Sequence, residues 1–158
     1  VAARNVVDRF AEVLIEEEKR ASFVPTELPP REALAPRSQA IVISDMLSDP
    51  AEIETTIHGM AARGATGHVV IIADPVEETF PFAGHVEFLD VDSSARLRVG
   101  EAQSFKADYV ARLAAHRDRV RAICTSRGWS FAIHRTDVPA AQALLALRLC
   151  VEAAQGGA

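Results

Sequence analysis

Two short apolar runs, Ala40-Ile41-Val42-Ile43 and Val69-Val70-Ile71-Ile72-Ala73, constrain this chain most. Neither alternates with polar residues, so each reads as a strand buried on both faces, the habit of a parallel sheet. The first run ends at Ser44-Asp45 and the second at Asp74-Pro75. Between them, Asp49-Pro50-Ala51-Glu52 combines an N-cap acid, a first-turn proline and a glutamate three places on. Ile53, Ile57, Met60 and Ala61 then share one helical face, and Gly64 suits the residue just past a helix end. Strand, helix and second strand make a β-α-β unit.

The rest of the chain extends that alternation. Residues 85–91 and 96–99 are shorter, more alternating segments around Asp92-Ser93-Ser94, which predicts a small hairpin. Phe105, Tyr109, Leu113, His116, Val120, Ile123 and Cys124 form the longest helical stripe, closed by Gly128. Trp129 to His134 reads as a third strand. Asp137 is placed to cap a final helix with Leu144, Leu145, Leu147 and Val151 inside. Upstream, Val6, Val7, Phe10, Val13 and Leu14 give a helical stripe over residues 3–20, and Pro25, Pro29, Pro30 and Pro36 break up segment 22–37.

The expected fold class is therefore α/β, a Rossmann-like three-layer fold with a mainly parallel sheet. One domain spans residues 1–158: a helix over 1–20, a Pro-rich linker over 22–37 and an α/β core over 38–154. Right-handed crossovers put helices 50–63 and 104–127 on one face and leave the other to the terminal helices. The expected core is Ile41, Ile43, Ile57, Val70, Ile72, Phe105, Leu113, Val120, Phe131, Ile133 and Leu145. Three parallel strands are few for such a fold.

Composition excludes several functions. Lys plus Arg number 17 against 22 Asp plus Glu, a net charge of −5. That balance does not make a phosphate-coating surface, so no nucleic-acid partner is expected. No apolar run nears the ~20 residues of a membrane span. Val1 opens the sequence without a signal-peptide pattern, and the expectation is a cytoplasmic chain, either processed or a piece of a longer protein. Cys124 and Cys150 are too few for a disulfide scaffold, lack metal spacing and read as small hydrophobes facing the core.

Ligands of open α/β sheets bind beyond the carboxyl ends of the strands. There the sequence places Ser44-Asp45, Asp74 with Glu77 and Glu78, and His134 with Asp137. Acids after strands also serve as caps, a role Asp49 and Asp137 already suit, whereas Asp45 heads no helix. Asp74, Glu77 and Asp137 mark a strand-end interaction face. The five histidines form no helix-spaced pair around an acid, and there is no nucleophile elbow or glycine-rich phosphate loop. No catalytic or cofactor-binding set emerges. His116 reads as a packing histidine, and Arg112, Arg117, Arg119 and Arg121 as a solvated helix face. Two functions stay open: a protein-interaction module, or an α/β enzyme using Asp45 and Asp74 with a divalent metal.

The residues Ala40 to Leu47, then Asp74-Pro75-Val76-Glu77-Glu78 with Phe80-Pro81-Phe82 and Gly84, then Tyr109, Leu113 to His116 and Gly128-Trp129 resemble a family. It is a bacterial group of von Willebrand factor A-like proteins, domain-of-unknown-function family 58. The resemblance runs from about Arg37 to Leu147. It implies a von Willebrand A sheet of which this chain holds the last three core strands, so that the chain is the C-terminal portion of the domain. It also implies that Asp45 matches the aspartate after the fourth strand of a metal-ion-dependent adhesion site. The Asp-x-Ser-x-Ser loop of that site is absent here, and Thr26 does not align with its threonine. Mg2+ is thus implied only for a complete parent domain, and no cofactor for this chain. The implied function is non-enzymatic complex assembly with a MoxR-type AAA+ ATPase. Strand 40–44 would lie beside a strand this chain lacks, which predicts self-association through that edge.

Overall fold

The computed structural model describes residues 28–89 and 94–156, preceded by Arg9, Glu12, Val13, Ile15 and Glu16, whose backbone is helical. The remainder of the 1–20 helix expectation, and residues 22–27 with Pro25 and Thr26, lie outside the described residues. From Leu28 to Ser38 the backbone is irregular, as Pro29, Pro30 and Pro36 dictate.

From Gln39 onward the described order is β1 (Gln39–Ser44), α1 (Pro50–Ala61), β2 (Thr66–Ala73), α2 (Pro75–Thr79), β3 (Val86–Leu89), β4 (Arg96–Val99), α3 (Ala102–Ser126), β5 (Ser130–Arg135) and α4 (Ala140–Gly156). β1, β2 and β5 form a parallel sheet in that spatial order. β3 and β4 pair antiparallel as a separate hairpin. The α/β class with a parallel sheet therefore holds.

The caps follow local chemistry. The Ala51 N–H donates to Asp49 Oδ1 at 2.8 Å, and Pro50 fills the first turn of α1. Gly64 (φ 81°) and Gly128 (φ 70°) take the left-handed backbone just past α1 and α3, which a side chain disfavours. The short helix α2 was not expected, although Asp74-Pro75 repeats the Asp49-Pro50 signature. Val76 N–H donates to Asp74 Oδ1 at 2.8 Å just as Ala51 does to Asp49.

Strand alternation divides the sheet into two faces. Val42, Val69 and Ile71 point to the side covered by α1 and α3, where they pack with Ile53, Ile57, Met60, Val120, Ile123, Cys124 and Trp129 in one buried cluster. Gly67 lies against the Trp129 ring so closely that a Cβ would stand 2.2 Å from it. The Trp129 indole N–H donates to the Ala65 carbonyl at 3.2 Å. Burial pushes the Cys124 thiol up to about 11, so it stays protonated.

The opposite face carries Ile41, Ile43, His68, Val70, Ile72, Ser130, Ala132 and His134. α4 packs on it, lining a cavity with Val70, Ala132 and His134, and its Val151 carbonyl accepts from Gln39 Nε2 on β1 at 3.3 Å. Here several core expectations fail. Ile41 is 51% exposed and Ile43 58% exposed, because among the described residues α4 covers β2 and β5 rather than all three strands. Leu144 and Leu145 also stand on the exposed part of α4. Ile133 is exposed on the edge strand β5, and Phe105 is exposed on the first turns of α3. Ile57, Val70 and Val120 are buried as expected, while Ile72, Leu113 and Phe131 are half-buried. Cys150 is exposed rather than core-facing.

Candidate functional site at the strand ends

Because the three strands are parallel, Asp45, Asp74 and Asp137 all lie beyond the same, carboxyl-terminal edge of the sheet. The register staggers them. Ser44 pairs with Ile71 and Arg135 with Ala73, so β1 ends two residues before its neighbours.

Asp74 is held from two directions. Its Oδ1 caps α2, and its Oδ2 accepts from Thr136 Oγ1 at 3.2 Å, tying the end of β2 to the end of β5. Asp137 does not cap α4, which begins three residues later at Ala140. Instead Arg135 grips it in a two-pronged pair, Nε to Oδ1 at 3.0 Å and Nη2 to Oδ2 at 2.7 Å. Those bonds hold the Asp137 carboxyl below its ordinary range and raise Arg135 further.

From Arg135 the charges continue across the fold. Its Nη1 stands 3.5 Å from Glu78 Oε2. Arg117 Nη1 donates to Glu78 Oε1 at 2.7 Å, and its Nη2 stands 3.7 Å from Glu77 Oε2. The Arg117 side chain is only 12% exposed. It is therefore no part of a solvated face, whereas Arg112, Arg119 and Arg121 are exposed as expected. The run Asp137–Arg135–Glu78–Arg117–Glu77 ties β5, α2 and α3 into one alternating network. Beside it His116, half-buried on α3, approaches the Met46 carbonyl with Nε2 at 2.7 Å. A carbonyl only accepts, so Nε2 carries the proton and pins the β1–α1 loop to α3. Met46 sits there buried at φ 52°.

Asp45 stands outside that network. Its Oδ1 accepts from Ser44 Oγ and from the Leu47 N–H, both at 3.3 Å, in a turn of its own. The structure thus joins Asp74, Glu77, Glu78 and Asp137 through Arg117, Arg135 and Thr136, and leaves Ser44 and Asp45 apart. Arg117 and Thr136 carried no signal in sequence, because their partners lie on other elements, and Arg135 has one partner two residues away and another, Glu78, on α2.

Hard cations need about six oxygen donors. Among the described residues no three His, Cys, Asp or Glu side chains come together to hold a metal. Ser44 and Asp45 alone do not fit an Mg2+ ion. Asp74 has both oxygens committed to a helix cap and to Thr136, which leaves Asp45 without a second free carboxylate beside it.

A parallel α/β sheet with its charged network beyond the strand ends defines the class of fold. The family described as "Protein of unknown function DUF58" matches residues 16–119, about two-thirds of the chain. The chain belongs to this family. No curated protein and no solved structure matches it.

Proposed function

We propose that this chain is a non-enzymatic protein-interaction module, the C-terminal portion of a von Willebrand A-like domain, which docks to protein through the outer edge of β1. The observation that carries this reading is the state of that strand. Among the described residues β1 pairs on one side only, with β2, and it presents Ile41 and Ile43 beside the free edge. Gln39 to Ser44 contains no charge, proline or bulge to repel another strand. Such an edge recruits a strand by main-chain hydrogen bonds, with exposed side chains adding specificity.

In this reading the partner strand comes from the rest of a parent domain, or from a second copy when the chain is alone. Asp45, with Ser44 adjacent, would then contribute to an Mg2+ site only where the rest of a parent domain supplies the other ligands. The wider assembly would include a MoxR-type AAA+ ATPase, and the setting would be cytoplasmic. Among the described residues no helix is long and apolar enough to cross a membrane. Light scattering at increasing micromolar concentration tests the edge. The unsubstituted chain is expected to self-associate and Ile43→Lys to remain a monomer. Monomeric behaviour of both, with no capture of a purified MoxR-type ATPase by the unsubstituted chain, would refute the proposal.

A further inference from the structure

A second site lies away from β1, where the β3–β4 hairpin leans on α3. Phe80, Phe88, Leu97, Phe105 and Tyr109 wall a cavity of about 550 Å³, within the range of roughly 300–1,000 Å³ typical of small-molecule sites. Its floor is a cluster of rings. Phe80 contacts Tyr109 at 4.8 Å between centroids and Phe82 at 5.1 Å, while Phe82 meets Phe88 edge-on at 5.2 Å. Phe80 is buried at the end of α2 with φ 41°, a left-handed conformation that a bulky residue adopts only when its surroundings impose it. That strain sets the ring into the cavity floor.

The mouth is different. Leu97 (63% exposed) and Phe105 (55% exposed) leave apolar surface in water there. Arg98 and Arg112 also line the cavity. Each guanidinium has one acidic partner, Glu87 at 2.9 Å and Asp108 at 3.0 Å, and each side chain is 81% exposed. A guanidinium has five N–H donors, so both keep donors for a further anion. Asp108 is the one acid in the lining, so two arginines with spare donors outweigh it and favour an anionic ligand over a cationic one.

We propose that this cavity binds a small amphipathic acid. An aromatic or branched apolar body fills the space between Phe80, Phe88 and Phe105, and a carboxylate at the mouth meets Arg98 and Arg112. The site is independent of the β1 edge, sharing no strand with it.

Calorimetric titration of the full chain with phenylbutyrate tests the proposal, with the uncharged phenylbutanamide as its partner probe. Phe105→Ser and Arg112→Gln alter exposed side chains, and an unchanged melting temperature confirms that each variant folds. Phenylbutyrate is expected to bind saturably. Losing an apolar wall in Phe105→Ser should weaken it by about tenfold or more. Arg112→Gln should weaken the acid and leave the amide unchanged. Absence of binding, equal affinity in Phe105→Ser, or equal affinity for acid and amide would overturn the proposal. So would binding of an acidic peptide that phenylbutyrate fails to displace.

Discussion

The two faces of the parallel sheet are built from similar residues and meet opposite fates. On one, Val42, Val69 and Ile71 are sealed by two helices, and Trp129 closes the layer against Gly67. On the other, Val70 is buried beneath α4, while Ile41 and Ile43, one strand away, stand in water. Residue type does not separate these groups; coverage does. α1 and α3 pack against each other over one face, whereas α4 packs on β2 and β5 and meets β1 where Gln39 bonds the Val151 carbonyl. Burial of an apolar side chain stabilises by about 1.5–3 kcal/mol only where something covers it. The second face is thus a covered layer on two strands and an exposed one on the third.

Substitutions on the sealed face should have the largest effects. Trp129→Ala is expected to destabilise by about 3–5 kcal/mol and Ile57→Ala by about 2–5 kcal/mol, through lost transfer energy and unfilled cavities. Urea unfolding followed by circular dichroism measures both. Losses below about 1 kcal/mol would mean that this face is not the core.

Gly67→Ala sharpens the same point from the opposite direction. Its added methyl would stand 2.2 Å from the Trp129 ring. Overpacking of this kind costs about 1–3 kcal/mol, and Trp129 fluorescence should shift as the ring is displaced.

The covered part of the second face contains a titratable residue. His68 is buried on β2, its Nδ1 2.8 Å from Ser130 Oγ and its Nε2 without a partner. Burial lowers its pKa from 6.5. The folded state therefore holds it neutral while the unfolded chain takes up a proton. Its contribution to stability is complete above pH 6.5 and is lost as the pH falls from there through the lowered folded value. Denaturant midpoints compared at about pH 7.5 and about pH 5.5 should fall on acidification, and less so in His68→Gln. Equal falls in the two proteins would remove His68 from the account.

The smallest effect belongs to the open strand. Ile43→Ala should change the stability of the monomer by less than about 0.5 kcal/mol, the usual range for an uncovered surface position. A loss of about 2 kcal/mol or more at low concentration would show that Ile43 is buried in the monomer.

Much of this architecture was legible in the sequence. The Ala40–Ile43 and Val69–Ala73 runs marked two parallel strands, Asp49-Pro50 marked a helix start, and the segments around residues 92–94 marked a hairpin. The same runs misled about burial, because continuous apolarity reports the intended environment of a strand and not how many layers cover it. Ile41 and Ile43 satisfy the pattern of a two-sided strand without having the second layer. Of the strand-end site, the placement of Asp45, Asp74 and Asp137 was legible, since parallel strands align their ends. The network was not. Arg117 sits among arginines that do face water, and only the fold brings it against Glu77 and Glu78 on α2. Asp137 looked like a cap because acids before helices usually are, but Arg135, two residues earlier, engages both its oxygens.

Amide hydrogen exchange along β1 tests the open edge most directly. In a parallel ladder, alternate residues of a strand bond to one neighbour and the rest point away from it. Ser38 accepts from the Thr66 N–H, which sets the parity: Ala40, Val42 and Ser44 face β2, while Ile41 and Ile43 direct their amides outward. In dilute solution the account predicts a protected Val42 amide between two freely exchanging neighbours, Ile41 and Ile43. Their protection should rise with protein concentration as a second strand pairs. Protection of Ile41 and Ile43 equal to that of Val42 at the lowest concentration would contradict it, because the edge would then already be paired within the chain.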